Sequence, residues 1–319
     1  MPNKYWLEIE RLSNKSEAQT NAQLKALYRE SLKDLNTRIG TFMAEHQDMR
    51  YVDMLQLNRM KSIYAQIDDS LAKLTGGVRD IAYKADLQEL EYGYFGEWYN
   101  IEKQLGSNIS YGLMSENRIR QLIEFPVNGI PLSKRLYGEV LLANQKSIKG
   151  VLAEGLIQGY DNKKMARRLS ETMDVSYGKA KTIVRTESGR INSMARQDAV
   201  EHASELGVDT KKEWVSTLDR KTRHTHQELD GQIVGVSEDF TSPAGYRAPQ
   251  PRMFGVPSED INCRCGCTSV VYGFRADKRR DNESKKVIDN VSYSDWLKKY
   301  HNDEYAKHQE IIAAIKKKL

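Results

Sequence analysis

Two apolar stripes at helical spacing constrain this chain more than any other feature. From about residue 5 to 45, Leu24, Leu27, Tyr28, Leu32, Leu35, Ile39 and Phe42 recur at steps of three and four, which line one face of a long helix. Leu57, Met60, Ile63, Tyr64, Ile67, Leu71 and Leu74 draw a second stripe, and Gly76-Gly77 is expected to stop it. A loop near Asp48 then folds the two helices antiparallel. A third helix is expected over 78–105, and a shorter one over 116–123 is cut off by Phe125-Pro126. After the turn Gly129-Ile130-Pro131, Ser133 is the candidate N-cap of further helices over 133–206. These are expected to break at 159–162 and 173–176, and the last, 177–206, closes at Gly207.

The character of the chain changes there. Residues 212–273 hold four of the seven prolines, all three cysteines, and short β-prone runs such as Gln232-Ile233-Val234 and Ser269-Val270-Val271-Tyr272. The fold class expected is mainly α: an extended helical N-terminal region (1–132), a helical segment (133–211), a compact loop-rich α+β module (212–274) with a Cys/His cluster, and a charged linker with a C-terminal helix (275–319). That last helix, expected over 294–319, is polar, carries Trp296, Leu297, Tyr300, Ile311, Ile312 and Ile315, and ends in Lys316-Lys317-Lys318. In the N-terminal region the stripes carry more apolar surface than two helices hide, so it is expected to dock on a partner; Trp6, Phe95, Trp98 and Tyr99 suit such anchoring, although most of them are expected to pack in the core.

Composition excludes several classes. Charged residues make up 29% of the chain and apolar ones 39%, and no run approaches the roughly 18 apolar residues that a membrane span needs. The first residues carry charges where a signal peptide would be apolar, so synthesis in a cytoplasm is expected. Three cysteines crowded into five positions cannot form a secreted disulfide framework. Lys plus Arg number 49 against 44 Asp plus Glu, which permits weak, sequence-independent contact with DNA and argues for nothing stronger.

The residues that carry information form an ordered series. It begins at Arg185-Thr186-Glu187 and Asn192, passes through Trp214, Asp219, Arg223, His226 and Leu229-Asp230-Gly231, and ends at Asn262-Cys263-Arg264-Cys265. Taken together, this series over about 140–273 resembles the phage minor head proteins of the Mu F-like head morphogenesis family. The resemblance implies a minor capsid protein of a tailed phage or prophage, made in the bacterial host cytoplasm. It further implies a place in the virion near the portal, with portal protein and other capsid components as partners and a part in head assembly or DNA delivery.

Read for their own chemistry, the same residues admit several functions. If the backbone is extended, the spacing of two puts His224 and His226 on one face, and likewise Cys263, Cys265 and Cys267, so the five could converge on a structural zinc. Burial of the thiols in a tight loop is the favoured reading of the two, since zinc sites usually use C-x2-C pairs. His226-Gln227-Glu228 matches half of a nucleobase deaminase signature, whose cysteine half fails here. Asp219, His224 and His226 would suit a metal-dependent nuclease, the enzymatic alternative to the structural reading. Arg220, Arg223 and Arg264 beside Asp219, Asp230 and Asp260 read as ion pairs that pin loops, or else as a phosphate-binding surface. Glu187 with Arg190 reads as a helix-surface pair, and Trp214 as a core anchor. Residues 161–190 superficially resemble a helix-turn-helix with Lys179, Lys181 and Arg185 toward phosphates.

Overall fold

The computed structural model describes residues 4–49, 51–56, 58–109, 112–127, 129–271, 278–281, 283–289, 291 and 293–300. It is mainly helical, with short antiparallel strands toward the C-terminus. Contacts divide the chain into two compact units, each assembled from separate stretches. One comprises Glu17–Ala85 and Glu124–Arg185; the other comprises Met1–Ser16, Asp86–Ile123 and Thr186–Leu319. Three long helices, α1 (Lys4–Glu45), α3 (Arg59–Leu105) and α7 (Asn162–Glu205), contribute residues to both.

The first of these units is all helical. The two stripes do what their spacing requires: Leu24, Tyr28, Leu35, Ile39 and Phe42 of α1 are buried with Met60, Ile63, Ile67, Leu71 and Leu74 of α3. The short α2 (Tyr51–Gln56) occupies the predicted loop. Gly76-Gly77 does not stop α3. A Cβ on Gly77 would lie 2.7 Å from the Leu27 side chain, so this glycine admits a close neighbour. The same unit holds α5 (Leu132–Leu136), a π-helical stretch (Tyr137–Leu142) and α6 (Ala143–Gln158). Pro131 rather than Ser133 precedes α5 as its N-cap, and Gly159 ends α6 in the left-handed conformation. The expected break at 173–176 is also absent, because Ser176 is buried in α7 where its hydroxyl meets Tyr28 Oη at 3.0 Å and accepts from Asn144 Nδ2 at 2.7 Å. With α7 unbroken, 161–190 contains no helix-turn-helix.

In the second unit, α4 (Glu116–Ile123) and the remaining parts of α1, α3 and α7 pack beside the α+β module. Trp98, Ile101, Leu122, Ile191 and Ala195 form a core with Val271. Trp6 and Trp98 are buried, the core packing expected for most of the N-terminal aromatics. The module's sheet has the order β2 (Ile233–Gly235), β1 (Thr210–Val215), β5 (Gly266–Val271), all antiparallel, with Trp214 opposite Cys267. Two small hairpin pairs follow the same rule: β3 (Phe240–Thr241) with β4 (Arg247–Ala248), and β6 (Lys278–Arg280) with β7 (Val287–Asp289). The expected charged linker is therefore structured where it is described. Next comes α10 (Tyr293–Tyr300), whose Trp296 is buried with Leu218. The rest of the expected C-terminal helix, including Ile311, Ile312, Ile315 and the lysine end, lies outside the described residues.

Candidate metal centre

The module is held by polar devices more than by apolar bulk, and each piece of the sequence series has a local task. Gly231 adopts φ +79°, which only glycine takes without strain, and its N–H donates to the Trp214 carbonyl at 2.9 Å. Asp230 accepts the Ser216 N–H at 2.8 Å, so Leu-Asp-Gly is a turn that returns the chain onto β1. Asp260 accepts the N–H groups of Phe254 and Val256 at the start of α9 (Pro257–Asp260). Arg223 donates to the carbonyls of Glu259 and Ile261 at its other end. Asn262 then takes a left-handed φ of +57°, and its N–H donates to Thr186 Oγ1 at 3.3 Å.

Arg264 forms a two-pronged ion pair with Asp219; burial would raise that carboxyl, but the guanidinium together with hydrogen bonds from the Lys221 N–H and the Thr222 hydroxyl holds its pKa below the ordinary value. Arg185 pairs with Glu17 at 3.2 Å. Glu187 and Arg190 do pair, at 3.0 Å, but both are buried rather than on a helix surface. The arginines Arg223 and Arg264 thus pin loops, as the first of the two sequence readings expects.

These devices bring three of the five proposed ligands together. His226, Cys263 and Cys265 are all buried, and their ligand atoms lie within 4.8 Å of one another. His226 Nδ1 is 3.5 Å from Cys263 Sγ and 3.4 Å from Cys265 Sγ. Its Nε2 is 2.8 Å from Glu259 Oε2, which also accepts the Thr225 hydroxyl at 2.8 Å. Trp214 and Phe254 wall the imidazole, with ring centroids 5.5 and 5.9 Å away.

His224 and Cys267 stand apart from this group. Both histidines lie on a helix, α8 (His224–Leu229), where a spacing of two points side chains to different faces; His224 Nδ1 meets Gln227 Oε1 instead. Cys267 lies farther along β5, where its carbonyl accepts from Trp6 Nε1 at 2.9 Å and Arg196 Nη1 at 3.3 Å. Burial pushes its thiol up to about 12. Asp219, engaged by Arg264, does not join His226 as the nuclease reading requires.

The electrostatics favour a charged pair inside the cluster. Burial alone would keep His226 neutral, yet the Cys263 sulfur and the Glu259 carboxylate outweigh it and push its pKa up to about 9. Cys263 is lowered by the neighbouring Cys265 thiol and by His226, whereas burial raises Cys265.

Sequence reasoning assigned no role to the residues that brace the cluster from outside. Arg252 donates to the Cys263 carbonyl at 2.9 Å, and its side chain fills the space where a Cβ on Gly189 would sit. Arg196 bridges Glu97, Glu10 and the Cys267 carbonyl, while Gly266 lets the Trp6 ring lie where a Cβ would be, 2.6 Å away. Lys212 is fully buried and donates to Gln197 Oε1 and the Pro249 carbonyl. The partners of these residues are set by the tertiary fold and carry no signal in sequence.

Comparison with known proteins adds three findings. Residues 146–268 match the family described as Phage Mu protein F like protein. The NAD(+)-arginine ADP-ribosyltransferase EFV of Enterococcus faecalis is 37% identical over 294 residues, covering 92% of this chain and 60% of that protein, so the chain spans less than two thirds of its length. The minor head protein GP7 of Bacillus phage SPP1 is 26% identical over 301 residues, covering 91% of this chain and 96% of that one. No solved structure matches the chain at a significant level.

Proposed function

Because this chain belongs to the Mu F-like family of phage minor head proteins, we propose that it is a structural component of the virion head that associates with the portal and assists head assembly or DNA delivery. The observation that carries this reading is the end-to-end alignment with GP7, which leaves 4% of that minor head protein unmatched. The interior of the second unit supports it. The motif residues described above act as turn formers, loop pins and core, and the cysteine and histidine side chains of the cluster are buried.

Co-purification with the portal protein of the same phage tests the proposal. Full-length protein should co-elute with portal assemblies and be found in purified heads. Its absence from heads together with a failure to bind portal protein under assembly conditions would overturn the assignment.

The Enterococcus relative supplies a second reading, since its name describes transfer of ADP-ribose from NAD to arginine. That name belongs to a protein of which this chain matches 60%, and the motif series serves the fold in this structure. We therefore favour a non-enzymatic role. Incubation of the purified chain with NAD and a free guanidinium acceptor distinguishes the two: nicotinamide release coupled to acceptor modification would establish the enzyme.

A further inference from the structure

We propose that His226, Cys263 and Cys265 hold one zinc ion that locks the α+β module. The inference rests on the geometry of the cluster and is independent of the head assignment. In a tetrahedral site with Zn–S about 2.3 Å and Zn–N about 2.05 Å, a nitrogen and a sulfur ligand stand roughly 3.6 Å apart. The observed separations from His226 Nδ1 are 3.5 Å to Cys263 Sγ and 3.4 Å to Cys265 Sγ. One nitrogen thus faces both sulfurs at the edge length that a shared metal imposes.

The far side of the ring is arranged in the same sense. Glu259 Oε2 sits 2.8 Å from Nε2, so a proton held there would leave Nδ1 with a free lone pair directed at the sulfurs. A carboxylate behind a metal-bound histidine fixes its tautomer and strengthens it as a ligand. Thr225 holds that carboxylate in turn. Charge agrees as well: two thiolates cancel a divalent ion, giving a neutral site in a place where the three side chains are buried.

Three protein ligands leave one tetrahedral position for a small molecule such as water. Trp214 and Phe254 pack over the imidazole, and the ligands come from α8 and from the segment that joins α9 to β5. The ion would therefore tie two segments 37 residues apart in sequence, which lends stability rather than turnover. The unusual C-x-C spacing is accommodated because Cys263 and Cys265 flank Arg264, whose side chain leaves on the opposite side to pair with Asp219.

The test uses the full chain, purified without chelator, with metal content measured by mass spectrometry. We expect about one zinc per chain in the parent and in the H224A and C267S variants, falling at least tenfold in C263S and C265S. Because C263S could fail to fold, cobalt(II) substitution of the parent is the second measurement: thiolate-to-cobalt charge-transfer absorption should appear, and one equivalent of zinc should abolish it. The proposal is overturned if the parent contains no zinc and develops no cobalt absorption. It is equally overturned if C267S loses metal as completely as C263S, or if intact mass shows a Cys263–Cys265 disulfide in protein purified under reducing conditions.

Discussion

At the scale of single residues, the second unit stores charge in places where water cannot solvate it. Burial pushes Asp86 up to about 7 against the hydrogen bond from Ser188, with Glu187 adding to the rise, and burial does the same to Glu89. A carboxyl that holds its proton more tightly folded than unfolded makes stability fall as pH rises. For Asp86 the fall begins near its ordinary value of 3.8 and ends near 7, with a slope of at most about 1.4 kcal/mol per pH unit. Asp86→Asn abolishes that contribution while leaving an acceptor for Ser188. The variant should match the parent in urea denaturation near pH 4 and exceed it by roughly 1 to 3 kcal/mol at pH 8. An equal difference at both pH values would show that Asp86 is not the titrating group.

At the scale of elements, close helix approaches are set by glycines that look alike in sequence and differ in surroundings. A Cβ on Gly93 of α3 would lie 2.4 Å from the Asn192 carbonyl oxygen and 2.9 Å from Ala195 Cβ of α7, whereas one on Gly76 meets nothing within 4 Å. Gly76→Ala should therefore stabilise by about 0.5 to 1 kcal/mol through helix propensity. Gly93→Ala should destabilise by about 1 to 3 kcal/mol, since backbone must move to admit the methyl group. Thermal melting of the two variants decides it, and a stabilised Gly93→Ala would refute the close crossing of α3 and α7. The same contrast explains what could be read from sequence. Periodicity located α1 and α4 almost to the residue, because it reports burial along one face. It broke α3 at Gly76-Gly77 and α7 at 173–176, because propensity knows nothing of Leu27 or of the Tyr28 and Asn144 side chains that meet Ser176. In the candidate site, residue types pointed to His226, Cys263 and Cys265, but extended backbone was the wrong premise for α8 and brought His224 in wrongly. Glu259 carries no sequence signal as a partner of His226; α9 delivers it.

At the scale of the whole molecule, charge is nearly balanced, 49 basic against 44 acidic residues, and many of the basic ones are already engaged in ion pairs. Binding to duplex DNA should accordingly be weak, indifferent to sequence, and lost as salt rises, with a log-log slope of about −0.9 for each phosphate neutralised. Titration of unrelated duplexes at increasing salt checks this, and tight binding that survives high salt would contradict it. The bond from the Trp6 indole to the Cys267 carbonyl spans 261 residues and has a consequence in time. Every residue of the all-helical unit has been synthesised once Arg185 is added, whereas the bond that ties the first turn of α1 to β5 must wait for Cys267. At roughly 5 to 20 residues per second, translation from Arg185 to Cys267 takes on the order of 4 to 16 seconds. During that interval the carbonyl that accepts from the Trp6 indole has not been made, so the nascent chain must keep an aromatic N-terminus soluble until the last strand of its sheet has been synthesised.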